Sequence, residues 1–168
     1  MTTSQNMIDQ IKRFEGFRAN AYRDSGGVWT VGYGTTRING QRVNALVSVT
    51  EETAEICLRN DLSAAEREVN ALPNIANITQ SMFDACVDFC YNCGTGSFRK
   101  STLRKKIVSN PYDPTISKEF IRWKYATIGG VKQELAGLLK RRSIEAAWYF
   151  YGVDWSNRIN DVVLWAKT

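Results

Sequence analysis

The stretch from Thr50 to Pro73 constrains the fold more than any other part of this chain. Thr50 stands where a helix N-cap is expected, and Glu51 and Glu52 place negative charge in the first turn. Ala54, Leu58, Leu62, Ala65, Val69 and Leu72 recur at helical spacing, and Pro73 stops the pattern. A helix of about 20 residues spans about 30 Å at 1.5 Å per residue, long enough to join two lobes. The chain has a different character on its two sides. Upstream, Met7, Ile11 and Phe14 mark a first helix ending near Gly16. Short strands are then expected at Ala21–Arg23, Val28–Tyr33 and Arg42–Val47, with turns at Ser25-Gly26-Gly27 and Asn39-Gly40. Downstream the pattern is helical over 79–92, 101–109, 116–126 and 131–151, with a short piece near 156–165. This order predicts an α+β fold with a small antiparallel-sheet lobe and a larger helical lobe.

Composition narrows the chemistry. The 168 residues are 43% hydrophobic with five Trp, enough to bury a sizeable core. Histidine is absent. That removes Ser-His-Asp and Cys-His nucleophile systems and His-ligated zinc hydrolases. Residues 1–72 hold 8 Lys/Arg and 9 Asp/Glu, whereas residues 73–168 hold 14 and 8, so the net charge of +5 resides in the second part. A basic surface of this kind suits a polyanionic partner, and it is also compatible with an ordinary solvated exterior.

Cys86, Cys90 and Cys93 fall at helical spacing among Phe83, Val87 and Tyr91, with Cys57 elsewhere. They read as small apolar packing residues rather than as zinc ligands or disulfide partners, because a C-x3-C-x2-C spacing is not a usual zinc knuckle. No metal and no cofactor are expected. The N-terminal MTTSQNMIDQIKRFEGF has no basic region followed by an apolar stretch, and no apolar run reaches 18 residues. Neither a signal peptide nor a signal anchor nor a transmembrane helix is expected.

Within FEGFRANAYRDSGGVWTVGYGTT lie Glu15, Asp24 and Thr30, separated by eight and five residues. Cleavage of a glycosidic bond needs one carboxyl group that donates a proton to the leaving oxygen. It needs a second that activates water or stabilises positive charge at the sugar carbon. Glu15 follows Phe14 at a helix end, a setting for partial desolvation. Asp24 heads a Ser-Gly-Gly turn, where water and backbone amides solvate a carboxylate, and Thr30 offers a hydroxyl from the next strand.

This segment, with its TVGYGTT continuation, resembles the active-site segment of the phage-type lysozymes, the endolysin muramidases of glycoside hydrolase family 24. Three further blocks carry the same resemblance: YNCGTGSFRKSTLRKKI, FIRWKYATIGG and LAGLLKRRSIEAAWY. Together they cover roughly residues 7 to 151. Thr35 stands where many members have His, Cys93 replaces Val or Ile, and Ala136 replaces Pro. The resemblance implies one lysozyme-like domain over 1–168, with a sheet lobe at about 16–50 and a linking helix at about 51–72. The helical lobe would comprise 1–15 and 73–168, with the glycan received between the lobes. It implies hydrolysis of the β-1,4 bond between N-acetylmuramic acid and N-acetylglucosamine with inversion, Glu15 acting as acid and Asp24 with Thr30 managing the water. Tyr91, Asn92, Ser101 and Thr102 become candidate substrate contacts, although Tyr91 also fits core packing and Ser101 and Thr102 also fit a helix cap. Lys140-Arg141-Arg142 reads as a solvated helix face, with one Arg able to pair with Glu145. The implied partner is the peptidoglycan strand, met by a monomer that inserts into no membrane and binds no nucleic acid. The enzyme would wait in the host cytoplasm until a holin-type protein opens the membrane, then act in the periplasm and wall. Two rivals are a lytic transglycosylase acting on the same bond and a non-catalytic basic wall-binding protein.

Overall fold

The computed structural model describes residues 1–165, with side chains described through residue 160. The chain runs α1 (Gln5–Glu15), β1 (Arg18–Arg23), β2 (Trp29–Gly32), β3 (Arg37–Ile38), β4 (Gln41–Arg42) and α2 (Glu51–Asn70). It continues through α3 (Gln80–Cys93), α4 (Thr95–Lys100), α5 (Thr102–Ser109) and α6 (Ile116–Ile121). A hairpin of β5 (Tyr125–Ile128) and β6 (Val131–Glu134) then leads into α7 (Ala136–Tyr151) and α8 (Trp155–Trp165). Two compact units result, one of residues 8–64 and the other of residues 1–7 with 65–168. The division falls within α1 and within α2, so residues 8–15 cluster with the sheet-bearing unit.

In the unit of residues 8–64, β1 pairs antiparallel with β2, Tyr22 facing Thr30 and Arg23 facing Trp29. β3 and β4 form a second ladder with Arg37 opposite Arg42. Asn39 and Gly40 both take positive φ, 50° and 81°, as a two-residue hairpin turn requires. The strand expected at Arg42–Val47 ends at Arg42. The Asn44 side chain accepts from the Leu46 amide at 2.9 Å and turns the chain locally, so the ladder stops. Gly32 has φ +66°, and a Cβ there would lie 2.8 Å from Ala54 Cβ, so only glycine lets β2 approach α2 this closely. Thr50 caps α2 by accepting from the Thr53 amide at 3.1 Å. The expected stripe from Ala54 to Leu72 is buried throughout.

The other unit is built on α3, which is buried continuously from Met82 to Cys90. A helix apolar on nearly all sides belongs at the centre of a core. Phe89 is its aromatic hub, meeting Phe120 edge-on at 5.7 Å and Trp123 at 5.2 Å between ring centroids. Cys86 and Cys90 pack here as free thiols, and burial pushes both well above the ordinary thiol range. Helix α7 packs its buried face through ion pairs as well as apolar contacts. Arg141 Nη2 lies 2.6 Å from Asp88 Oδ1, and Arg142 Nη2 lies 2.5 Å from Glu145 Oε1. The solvated reading of Arg141 and Arg142 is therefore corrected, since both are buried, while the pairing with Glu145 is present. Burial pushes the Glu145 carboxyl well up, against the pull of Arg142. The hairpin at 125–134 replaces what the sequence pattern assigned to helices: Gly129 and Gly130 have φ of 57° and 79° and join β5 to β6. No helix among the described residues is long and apolar enough to cross a membrane.

Candidate active site

Glu15 closes α1. Gly16 terminates the helix at φ +72°, its amide bonded to the Lys12 carbonyl at 2.9 Å. The end of α1 is held in place on three sides. Phe17 packs against Tyr33 with ring centroids 5.5 Å apart and planes tilted by 48°, Lys12 Nζ reaches Glu55 Oε2 at 3.0 Å, and the Tyr33 hydroxyl donates to Glu51 Oε1 at 2.8 Å. The Glu55 contact raises the Lys12 ammonium above its usual range. Glu15 itself is half-buried, the setting its position after Phe14 predicted. Three residues later, Arg18 pairs with Gly32, which follows Thr30 by two positions on β2.

Asp24 sits in the tight turn that joins β1 to β2. Its Oδ1 accepts from the amides of Gly26 at 2.9 Å and Val28 at 2.8 Å. Among the described residues Oδ2 receives no hydrogen bond, so one carboxylate oxygen is committed to the turn while the other is open to a further donor. The Val28 peptide ties the second candidate to the third. Its carbonyl accepts from the Asp24 amide at 3.0 Å and from Thr30 Oγ1 at 3.1 Å. With its proton spent on Val28, the Thr30 hydroxyl has its lone pairs left as acceptors. Thr30 as a whole is 3% exposed, so its side chain is held in one place. The pairing through Val28 is not legible from spacing alone, although the Asp-Ser-Gly-Gly turn that creates it is.

The four candidate substrate contacts belong to the other unit. Tyr91 is half-buried, and Asn92 is exposed with its Oδ1 accepting from Arg142 Nη2 at 2.9 Å. Ser101 is 6% exposed; it accepts from the Arg104 amide at 3.0 Å and donates to the Phe98 carbonyl at 2.7 Å, so its hydroxyl is committed to the α4–α5 junction. Thr102 begins α5 and is exposed. Arg142, which holds Asn92 from beneath and also reaches Cys93 Sγ, was read from sequence as a surface charge. The local signal was its i,i+3 spacing to Glu145, with which it pairs. No three of Cys, Asp and Glu among the described residues come together as a metal site.

Two carboxylates with such different surroundings, in a chain without histidine, leave hydrolysis by carboxylates as the chemistry open to this site. Helix, hairpin, long helix and helical unit in this order define the lysozyme-like glycosidases as its class. The sequence profile of the phage lysozymes matches residues 12–145. The endolysin of Acyrthosiphon pisum secondary endosymbiont phage 1 is 36% identical over 149 residues, covering 89% of this chain and 98% of that protein. The solved endolysin from Escherichia coli O157:H7 phage FAHEc1 superposes with a TM-score of 0.83 at 35% identity, over 91% of this chain and 96% of that one. The muramidase domain of SpmX from Asticaccaulis excentricus gives a TM-score of 0.73 at 32% identity, over 88% and 97%. Some relatives are longer: the chain spans 55% of the Bacillus phage B103 endolysin. The chain belongs to the phage lysozyme family. It is a glycoside hydrolase, and its reading as a peptidoglycan-hydrolysing endolysin stands ahead of the wall-binding and transglycosylase rivals.

Proposed function

We propose that the enzyme, a single lysozyme-like domain over residues 1–168, cleaves the β-1,4 bond between N-acetylmuramic acid and N-acetylglucosamine with Glu15 as general acid. Glu15 donates its proton to the leaving glycosidic oxygen. Asp24 Oδ2 and Thr30 Oγ1 each accept one hydrogen of a single water, which leaves its lone pair directed at the sugar carbon. As that water attacks the sugar carbon on the face opposite the leaving group and the glycosidic bond breaks, Asp24 takes up one of the water's protons, giving an inverted product. The observation that carries this reading is the shared Val28 carbonyl, which ties Asp24 and Thr30 to one peptide group. Tyr91, Asn92 and Thr102 contribute sugar contacts from the other unit, Asn92 and Thr102 by their exposed polar groups, while Ser101 acts indirectly by setting the start of α5.

The polymer strand is the partner, met by a monomer with no nucleic-acid role. Entry to the periplasm and wall from the host cytoplasm depends on a separate holin-type permeabiliser. Kinship with phage endolysins supports the polymer strand as the partner. Mass spectrometry of the products from purified peptidoglycan tests the reaction. Reducing muramic ends are expected; 1,6-anhydromuramic ends would assign a lytic transglycosylase, and intact glycan would leave only wall binding.

A further inference from the structure

On the hairpins of the unit that carries Glu15 and Asp24 there is a pocket of about 390 Å³, within the size range of small-ligand sites. Arg23, Trp29, Thr36, Arg37, Arg42 and Val43 line it, with no carboxylate among its walls. All three arginines are exposed, and none forms an ion pair among the described residues. Two of them are placed against each other. Arg37 and Arg42 are direct cross-strand partners in a ladder only two residues long. Arg37 Nη1 donates to the Gly40 carbonyl at 3.1 Å, which leaves the guanidinium its charge and further donors. Like charges directly opposite on neighbouring strands destabilise a hairpin, and an anion between them would offset that cost. The third arginine links the pocket to the reaction site. Arg23 stacks on Trp29 at 4.7 Å and donates from Nη1 to the Gly27 carbonyl at 2.6 Å, in the turn whose amides hold Asp24.

We propose that this pocket is a carboxylate-binding site for the stem peptide carried by the muramic residue of the substrate. It rests on the reading of Glu15 and Asp24 as a peptidoglycan glycosidase. The pocket and the Asp24 turn share Gly27 and Val28, so an anion bound here while the glycan is engaged is most simply a substituent of that glycan. Stem peptides carry several carboxylates. Guanidinium groups recognise a carboxylate through paired N–H donors, and the Trp29 indole supplies an apolar wall for the peptide.

The test uses the full chain and the variant Arg37→Gln/Arg42→Gln, which retains the arginine bonded to Gly27. The substitution relieves a cross-strand repulsion and loses the exposed Arg37–Gly40 bond, opposing effects of similar size, so its melting temperature should stay within a few degrees of the parent's. Addition of a free stem tripeptide should shift the Trp29 indole N–H resonance of the parent protein and leave that of the variant unmoved. With soluble glycan bearing stem peptides, and the same glycan stripped of them by an amidase, the parent's preference for the peptide-bearing form should drop roughly tenfold in the variant through KM, the size of one charge-assisted hydrogen bond. A preference that survives within a factor of two overturns the site. A Trp29 shift with inorganic phosphate but not with tripeptide overturns it as well, in favour of a phosphate-bearing wall polymer. The peptide titration needs no turnover, so absence of cleavage on both glycans would count against the glycosidase reading while the Trp29 shift still decides the pocket.

Discussion

Thr30 Oγ1 and the Asp24 amide donate to the same acceptor, the Val28 carbonyl, over 3.1 and 3.0 Å. The two groups assigned to the attacking water are therefore positioned by one peptide unit, and each can be altered with a different outcome. Asp24→Asn keeps an Oδ1 for the Gly26 and Val28 amides, so the turn should persist while activity falls about 10²- to 10⁴-fold. Asp24→Ala loses both bonds and should lower stability by roughly 1–3 kcal/mol besides. Thr30→Val should cost about 10²-fold in kcat through misplacement of water. Steady-state rates on purified wall, set beside melting temperatures, check the three variants together; an active Asp24→Asn enzyme would contradict the assignment.

A pH-dependent stability effect is expected at Thr35. Its hydroxyl donates to Asp61 Oδ2 at 2.6 Å, in the place where many family members carry histidine. Burial raises the Asp61 carboxyl above its usual range, and the Thr35 bond opposes that rise. In Thr35→Val the folded-state value should climb further. A carboxyl with a raised folded value binds its proton more tightly in the folded state, so the penalty is absent below the unfolded value, near 3.9 for an aspartate. It grows as pH rises through the variant's folded value and is complete above it. Urea unfolding should therefore show the variant destabilised by roughly 1–2 kcal/mol at neutral pH and by less at about pH 3. Equal destabilisation at both pH values would show that the lost contact is one of packing alone.

The cysteines are expected to behave as packing residues. Cys86 and Cys90 are 0% and 1% exposed, and burial pushes the half-buried Cys93 thiol up to about 11 despite the neighbouring Arg142. Thiolate is the reactive form, so thiol reagents at neutral pH should label the native protein slowly and the unfolded protein at four sites. Cys86→Ala and Cys90→Ala should each cost about 1 kcal/mol through lost contacts, with specific activity retained. Stoichiometric zinc in purified protein, or activity lost to a chelator, would contradict this.

The basic second part of the chain should make attack on whole cell wall sensitive to salt. Lysis should fall steeply as the Debye length shrinks from about 10 Å to about 3 Å, while cleavage of a short neutral chitooligosaccharide that the enzyme accepts changes little. Lys105 is exposed and suits a charge-reversal test. Lys106 does not: its ammonium bonds Thr115 and lies 3.7 Å from Asp113, so its reversal would disturb the α5–α6 connection. Lys105→Glu should mimic added salt on walls only. Equal sensitivity on both substrates would place the effect in the active site or in stability.

Legibility followed the locality of the interactions. Helix α2, its Thr50 cap and its apolar stripe were readable because caps and periodicity are written within a few neighbouring residues. The Asn39-Gly40 turn was readable for the same reason, since both positions need positive φ. The hairpin at 125–134 was missed: Gly129-Gly130 marks a turn, but its exposed strands lack a buried alternating face, and the flanking helical periods were extended across it. Arg141 was misread because it pairs with Asp88 of α3, 53 positions away, and Arg142 because it also bonds Asn92 and Cys93 at the end of α3, 50 and 49 positions away. At the candidate site, residue type and spacing brought Glu15 and Asp24 forward and the family resemblance supplied the role of Thr30, while the turn that holds Asp24 was legible in Ser25-Gly26-Gly27. The Val28 carbonyl was not, because backbone acceptors have no sequence signature.

The measurement closest to the central claim is the kcat/KM of Glu15→Gln on purified peptidoglycan, taken with its melting temperature. An amide preserves the shape of the half-buried side chain but has no proton to donate. Loss of at least ~10² in rate is expected, with melting displaced by no more than about 2–4 °C. Activity above about a tenth of the parent's, with the fold intact, would remove Glu15 from the acid role, since general acid catalysis contributes far more than that factor.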